Sequence, residues 1–485
     1  MTYLTPSVKI REAGFLFPLN FKKSCGIMKK IFNVFRKIIL PISLALCVML
    51  FCVQCGSDDT QSNQSADPST DTSSVASKDT SSTKEEEPEP TFEEKVKAMG
   101  SGYWEEYNDT RDKLLAAQSD DTFSFIMLTD IHIDYVKKVA EGEDWYTVTP
   151  VGGSLPDRPN IKNEIAMVIE MANTTDVDCI LLGGDLVHGT WPHYSALGEL
   201  DYLAEVFKNA KVPVFATRGN HDHNDYHGKP CALEHIITNE EWTTHLLNPL
   251  AKGVTVVRPE GDPNTPYYYV DFPNKKTRLI VLDGWNYPVI SDDGVHSVYS
   301  AENGWSMYGD DEQVAWFAEE ALDSQKAGWN YVLLTHAPIT GDESGSSNNA
   351  KLIRSIINAF NNKGSVSVFG KAYDFSKVDI KLELSVSGHT HIQSWRTMSN
   401  NHVAINTGSG RFAYYPTEIP FDNANGKEYQ PMRVEGTYSQ ALFDAIVYDA
   451  KNRTAKRFNF GNRPDNIFEF TDNGITHYED IHQAW

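Results

Sequence analysis

Five short stretches of this chain carry side chains that could do metal chemistry. They are Asp130-Ile131-His132, Gly183-Gly184-Asp185, Gly219-Asn220-His221-Asp222, Thr335-His336-Ala337-Pro338 and Gly388-His389-Thr390-His391. Together they offer carboxylate, amide and imidazole donors and no thiolate. Such a set suits divalent Mn, Fe, Zn or Co better than a structural zinc site. Each stretch alone has a plainer explanation. Asp favours turns, Asn tolerates a left-handed turn after Gly, and a lone buried His is commonly a hydrogen-bonded core residue. The combination is harder to dismiss. Asp130, His132, Asp185, Asn220, His336, His389 and His391 would be costly to bury together without partners or cations.

The elements that must position these groups are legible as short apolar runs. Phe123–Thr129, Val177–Leu182, Val212–Thr217, Thr277–Leu282, Tyr331–Thr335, Leu384–Ser387 and Val403–Thr407 are rich in β-branched residues and bounded by Gly, Asp or Asn. They read as buried strands. Ile161–Ala172 and Tyr202–Phe207 have helical spacing, and Asp310-Asp311-Glu312-Gln313 reads as a capped start before Val314–Leu322. Strands alternating with helices predict an α/β fold. Each donor stretch follows a strand, the end at which α/β sheets gather ligands.

In this order, D-x-H, G-D, G-N-H-D, a lone His and G-H-x-H, the motifs resemble the calcineurin-like metallophosphoesterase family. The resemblance spans residues 130–391 and implies a four-layer α/β/β/α sandwich with two metal ions at the strand ends. It implies that Asp130, His132 and His391 hold one ion, that Asn220, His336 and His389 hold the other, and that Asp185 bridges them. Phosphate esters would then be hydrolysed by in-line attack of a hydroxide shared by the metals. His221 would contact the phosphate or protonate the leaving oxygen. Three residues after Asp185, where relatives often place an acidic residue, this chain has His188. That departure leaves the partner of His221 open, and makes His188 either a second catalytic or phosphate-contacting group or an ordinary loop histidine. A missing Tyr there argues against a purple acid phosphatase. The stretches Asp130–Asp134 and Gly184–Gly189 resemble phosphodiesterases of the cyclic-nucleotide type and acid-sphingomyelinase-like enzymes, which favours a diesterase of small phosphate esters over a monoesterase. A surface binding or adhesion lipoprotein on an inherited phosphoesterase fold is the reading from another class; it predicts lost ligands, and this chain keeps them.

Other residues carry weaker expectations. Trp285, Asn286 and Tyr287, with His223, Tyr226 and His227, are expected to rim the cleft. Asn406-Thr407-Gly408-Ser409 resembles the family's closing turn. Cys179 should be a buried thiol, and a Cys179–Cys231 disulfide is not expected.

The 485 residues carry 66 acidic and 43 basic side chains, a net charge of −23. That balance argues against a grip on nucleic-acid polymer, which needs a Lys/Arg-rich face. At 40% apolar the chain can build a sizeable core, and its 6 Cys are too sparse for a disulfide scaffold. A basic stretch from Met28 to Lys37, an uncharged apolar run Ile38–Val53 and then Cys55 resemble a bacterial lipoprotein signal. The expected organisation is a misplaced translation start over 1–27, a signal peptide over 28–55 with lipid on Cys55, a disordered acidic Ser/Thr-rich tether over 56–92, and a phosphoesterase domain over 93–485. The expected location is the bacterial cell envelope.

Overall fold

The structure is a computed structural model. It describes residues 90–133, 160–189, 193–224, 236–285, 310–322, 326–339, 348–397, 402–410, 433–434, 436–461 and 465–471, with short strands at 135–137, 144–146, 231–232, 295–296 and 474–480. All of them lie in one compact unit, Glu87–Trp485. The expected signal peptide, Cys55 and most of the tether lie outside the described residues, as do Tyr226, His227, Asn286 and Tyr287.

Two seven-stranded sheets form the centre. In chain order their strands are β1 (Phe123–Leu128), β2 (Cys179–Leu182), β3 (Val214–Ala216), β4 (Val256–Val257), β5 (Tyr268–Phe272), β6 (Thr277–Val281), β7 (Asn330–Leu334), β8 (Lys381–Ser387), β9 (Ser394–Thr397), β10 (Val403–Asn406), β11 (Phe443–Asp449), β12 (Thr454–Phe460), β13 (Asn466–Thr471) and β14 (Gly474–Asp480). The first sheet runs β14-β13-β12-β11-β1-β2-β3 and the second β9-β10-β8-β7-β6-β5-β4. Strands β1, β2 and β3 are mutually parallel, and so are β6, β7, β8 and β10. The remaining pairs are antiparallel. All seven runs expected as strands are strands.

Side-chain alternation sorts the second sheet into two faces, as the period of two requires. Leu279, Val281, Val332, Leu334, Leu384 and Val386 join the large core shared with the first sheet. Ile280, Tyr331, Leu333 and Leu382 face the other way, against Val314 and Phe317 and against Ile353, Ile357 and Phe360. Those outer residues come from α5 (Asp311–Trp316, continued by a π turn Phe317–Ala321) and α6 (Asn348–Asn361). On the first sheet's other face lie α1 (Phe92–Met99), α2 (Tyr103–Ala117), α3 (Asn160–Thr174) and α4 (His193–Phe207). Helix, sheet, sheet and helix give the four-layer α/β/β/α sandwich. The alternation breaks at one place. Tyr331 pairs with Leu382 and Val332 with Leu384, so Glu383 is the extra residue of a β-bulge.

Helix α1 starts with a capping box: Glu94 N–H donates to Thr91 Oγ1 at 3.3 Å, and Thr91 N–H to Glu94 Oε2 at 2.8 Å. Asp310 caps α5 as expected, its Oδ1 accepting from the N–H groups of Glu312 and Gln313. Cys179 is a buried free thiol. Among the described residues no helix is long and apolar enough to cross a membrane.

Candidate metal centre

Past their last ladder bonds, the parallel strands turn sharply, and the turns hold the donor residues. Among the described non-glycine residues with left-handed backbone are Asp130 (φ 53°), His132 (φ 42°), Asp185 (φ 50°), His389 (φ 73°) and His391 (φ 60°). A carboxylate or imidazole residue in that region is strained, and such strain collects at functional sites. Asn220 is not among them, so turn chemistry does not account for its presence. The turns after β1 and β2 are laced together: Asp130 N–H donates to Gly184 O at 2.9 Å, His132 N–H to Asp185 O at 2.9 Å and His188 N–H to Ile133 O at 3.1 Å. Two glycines allow the loops to close. A Cβ on Gly219 would sit 2.2 Å from Asp185 Oδ1, and one on Gly388 2.2 Å from Asp130 Oδ2. Any larger residue would push a carboxylate out of place.

The side chains then converge. His132 Nε2 lies 3.1 Å from His391 Nε2, and His391 Nε2 lies 3.2 Å from Asp130 Oδ1. Asp185 Oδ2 is 3.7 Å from His132 Nε2 on one side and 3.3 Å from His336 Nε2 on the other. Asp130, His132, Asp185 and His391 form one cluster of potential ligands, and Asp185, His336 and His389 a second. Asp185 is common to both. Asn220 is buried between Gly219 and His221, whose backbone N–H donates to Asp185 Oδ1 at 2.8 Å. Six of the seven expected ligands thus fall into the two clusters, and the seventh, Asn220, is buried next in the chain to His221.

Two observations test whether cations belong there. His336 donates its Nδ1–H to Gly183 O at 2.7 Å, which turns Nε2 into the site, fully buried and 3.3 Å from Asp185 Oδ2, as the nitrogen a cation would take in place of a proton. In the other cluster, imidazole nitrogens at 3.1 Å and a carboxylate oxygen at 3.2 Å match the edges of a coordination shell with bonds of roughly 2.0–2.2 Å. The residues fit two divalent metal ions.

The electrostatics of the pocket follow from its burial and its two carboxylates. Burial alone would raise Asp185, but the imidazoles of His336, His221 and His132 outweigh it and hold the carboxyl well below its usual range. Burial would depress His336, yet Asp185 and Asp130 outweigh that and raise it to about 9. Burial, with His336 beside it, pushes His389 down to about 3. Burial also lowers His221, partly offset by Asp185 and by the His188 carbonyl. The field is negative, and a cation entering it displaces the proton from His336.

The partner of His221 is a backbone group. Its Nδ1–H donates to His188 O at 2.7 Å, so Nε2 is the nitrogen presented to the site, 4.0 Å from Asp185 Oδ2. The His188 ring is buried and nearly parallel to that of His221, with centroids 5.6 Å apart. Asp222 is a brace rather than a ligand: Oδ1 accepts from the N–H groups of Leu186 (2.8 Å) and Val187 (3.0 Å), and Oδ2 from Gly219 N–H (2.7 Å). Burial and the nearby Asp185 raise it to about 7.

Two expectations need correction. Trp285 does not rim the cleft: it is 1% exposed, with its ring 5.2 Å from those of His336 and His389, a wall behind two ligands. His223, at 4% exposure, is likewise interior. Residues not singled out in the sequence form a clamp between the sheets. Arg218, just before the G-N-H stretch, donates Nε–H to Asp283 Oδ2 at 2.8 Å, and Trp285 N–H donates to Asp283 Oδ1 at 2.7 Å. Gln313 holds Asp283 by its backbone, accepting from its N–H at 2.7 Å and donating to its carbonyl at 2.8 Å. The available signal was an Arg and an Asp directly abutting strand ends. The closing turn also braces the site, with Ser409 Oγ–H donating to Asp130 O at 2.7 Å and Arg433 holding Ser409 O at 2.7 Å.

Comparison with known proteins adds an independent line. Residues 123–393, more than half of the chain, match the family described as calcineurin-like phosphoesterase. A human manganese-dependent ADP-ribose/CDP-alcohol diphosphatase is 31% identical over 119 residues, covering 24% of this chain and 31% of that protein. The double-strand break repair protein mus-23 of Neurospora crassa is 28% identical over 148 residues, covering 24% of this chain and 18% of that protein. The chain therefore spans less than a third of the length of these curated relatives. Among solved structures, a dimetal phosphatase from Danio rerio aligns over 72% of this chain and 99% of its own, at 13% identity and a TM-score of 0.44.

Proposed function

The chain belongs to the calcineurin-like phosphoesterase family, and we propose that it hydrolyses phosphate esters and that its substrates are small phosphodiesters cleaved outside the cytoplasm. The observation that carries the reading is the buried convergence in which Asp185 Oδ2 faces imidazole nitrogens from both clusters. Bound there, two divalent cations supply an activated water near neutral pH and neutralise charge on the phosphoryl oxygens.

The chain's own residues do the rest. Asp130, His132 and His391 would hold one cation, Asn220, His336 and His389 the other, and Asp185 would serve both. Asp185 keeps Oδ2 available because its Oδ1 is occupied by His221 N–H. His221 is fixed by its Nδ1–H bond to His188 O, so Nε2 is the atom that exchanges a proton with the leaving oxygen. Burial of the ligands strengthens these interactions by excluding water.

Support for a diester preference comes from the D-I-H and G-D-L-V-H-G stretches and from the relative whose name gives a diphosphatase of ADP-ribose and CDP-alcohols. Export and a lipid anchor at Cys55 rest on the basic and apolar stretches that precede it. The test is metal analysis together with turnover of bis-p-nitrophenyl phosphate and p-nitrophenyl phosphate in Mn²⁺. No turnover of either ester by a metal-loaded sample would sink the hydrolase reading, and faster monoester turnover would remove the diester preference. His221→Ala should keep both metals and lose roughly 10²- to 10⁴-fold in rate. Intact mass of the membrane-extracted protein reports whether Cys55 carries lipid.

A further inference from the structure

The G-H-T-H stretch lies in a loop that has to cross a strand. Strands β8 and β9 are consecutive in the chain but flank β10 in the sheet, so residues 388–393 pass over the end of β10. The residue at that end is Asn406, in register with Ser387 on one side and Ser394 on the other, and 2% exposed. Its carboxamide fills the crossing. The two Nδ2–H groups donate to Thr390 Oγ1 at 2.7 Å and to Ile392 O at 2.6 Å, and Oδ1 accepts Ser387 Oγ–H at 3.0 Å. A carbonyl only accepts, so the contact with Ile392 O fixes which end of the amide is nitrogen.

The rest of the loop closes on the same contacts. Thr390 Oγ1 accepts Ile392 N–H at 3.3 Å and donates its own proton to Ile392 O at 3.2 Å. With the Asn406 bond, the one donor and two acceptor positions of this hydroxyl are all used. The loop needs such a hold. His389 and His391, on either side of Thr390, both have left-handed backbone, at φ 73° and 60°. A non-glycine residue keeps that conformation only where its surroundings fix it. The two rings serve different clusters, His391 that of Asp130 and His132, and His389 that of Asp185 and His336. One amide therefore grips the residue that stands between a ligand of each ion site.

We propose that Asn406 is a positioning residue of the metal centre: by holding Thr390 and Ile392 it keeps His389 and His391 aimed at both ion sites at once. The assignment rests on the two-ion reading above. Asn406 acts through the loop and not on the reacting atoms.

The probe is Mn²⁺, titrated by calorimetry into the full chain after chelation, with the Tm of the metal-free protein measured on the same samples. Asn406→Asp keeps the shape of the side chain and turns an oxygen toward Ile392 O in place of the N–H groups. It should weaken both Mn²⁺ equivalents roughly 10- to 100-fold, the range for losing an outer partner of a metal ligand. Thr390→Val should act in the same direction, and Thr390→Ser, which keeps the hydroxyl, should bind as the wild type does. The losses in the double variant Asn406→Asp/Thr390→Val should fall short of the product of the single ones, because the two residues share a bond. The visible absorption of the Co²⁺-loaded protein should change in Asn406→Asp and stay as it is in Thr390→Ser. If Asn406→Asp does not fold, the Val and Ser pair at Thr390 carries the comparison. Wild-type affinity in a folded Asn406→Asp, weakening of one equivalent alone, or equal binding by the two Thr390 variants overturns the assignment. So does a lower Tm of the metal-free variant with Mn²⁺ affinity unchanged, which would make the amide a support of the fold only. A wild type that takes up no Mn²⁺ overturns the two-ion reading and this assignment with it, whereas a wild type that binds two equivalents, with unaffected variants, removes only the role of Asn406.

Discussion

Strand β8 ends in two buried polar clusters that differ in one respect. At the bulge, Glu383 is 1% exposed and accepts from Arg453 Nε–H at 2.9 Å and Tyr448 O–H at 3.0 Å. Beyond the other end, His389 and His391 join Asp130, Asp185, His132 and His336, where N–H and O–H groups of the chain satisfy Asp130 and Asp185 Oδ1 while Asp185 Oδ2 faces imidazole nitrogens of both clusters. The first cluster pairs every oxygen of its carboxylate with a donor of the chain and is complete as it stands. The second turns one carboxylate oxygen and several imidazole nitrogens toward common points, which cations would complete. Burial of charge is common to both, so burial alone does not mark a functional site; donor atoms converging on a shared point do.

Breaking the cluster around Asp185 should have the largest effect. Asp185→Ala removes the one carboxylate common to both ligand sets. Metal analysis should show loss of both ions, and turnover should fall by more than the roughly 100-fold typical of a lost outer-shell partner. Full metal occupancy in that variant would mean the shared carboxylate is dispensable. Glu383→Ala should act on the other cluster alone. It leaves Arg453 and Tyr448 without their acceptor and should cost about 3 kcal/mol in urea unfolding, with metal content and rate per folded molecule unchanged. A change in metal content there would show that the two ends of β8 are coupled.

The clamp offers a finer cut. Asp283→Asn weakens the hold of Arg218 on the G-N-H loop and of Trp285 behind His336 and His389. It should reduce affinity for one of the two metal equivalents roughly 10-fold and spare the other, as read by calorimetric titration. Uniform weakening would argue against a local role. The smallest effect concerns Asp178, a half-way case between the clusters. It accepts Ser124 N–H at 2.8 Å but has its nearest cation, Lys275, at 3.9 Å. Burial raises it to about 6, only partly opposed by Ser124 and Lys275. A carboxyl raised in the folded state favours folding while protonated, and that advantage is lost as pH climbs through about 6. Asp178→Asn should therefore gain about 1 kcal/mol over the wild type at pH 8 and nothing at pH 4, read as the difference in Tm. An equal gain at both pH values would show that charge is not the cause.

What the sequence could disclose follows from how local each signal is. Strand β1 with Asp130, β2 with Asp185 and β8 with His389 are each a single apolar run followed at once by a polar group, and such runs are visible without any knowledge of neighbours. The meander β11–β14 is not of that kind. Strand β12 contains Lys456 and Arg457, and Arg457 is tolerated inside only because Asp444 on β11 accepts its Nε–H at 2.9 Å. That compensation lies on another strand and leaves no mark on the run itself. Gln313 reads as part of a helix start, which it is, its N–H capped by Asp310; that its side chain also supports Asp283 leaves no mark in the sequence. The orienting partner of His221 was sought among side chains and is the carbonyl of His188, a group every residue carries and no sequence pattern can flag.

The ligands divide evenly enough between the sheets to matter mechanically. Asp130, His132, Asp185 and Asn220 follow strands of the first sheet, while His336, His389 and His391 follow strands of the second. An ion held by these residues would therefore rivet one slab of the sandwich to the other at its rim. Chelation should then lower Tm as well as phosphoesterase turnover, because ions that bind only the closed assembly add to its stability in proportion to the logarithm of their concentration.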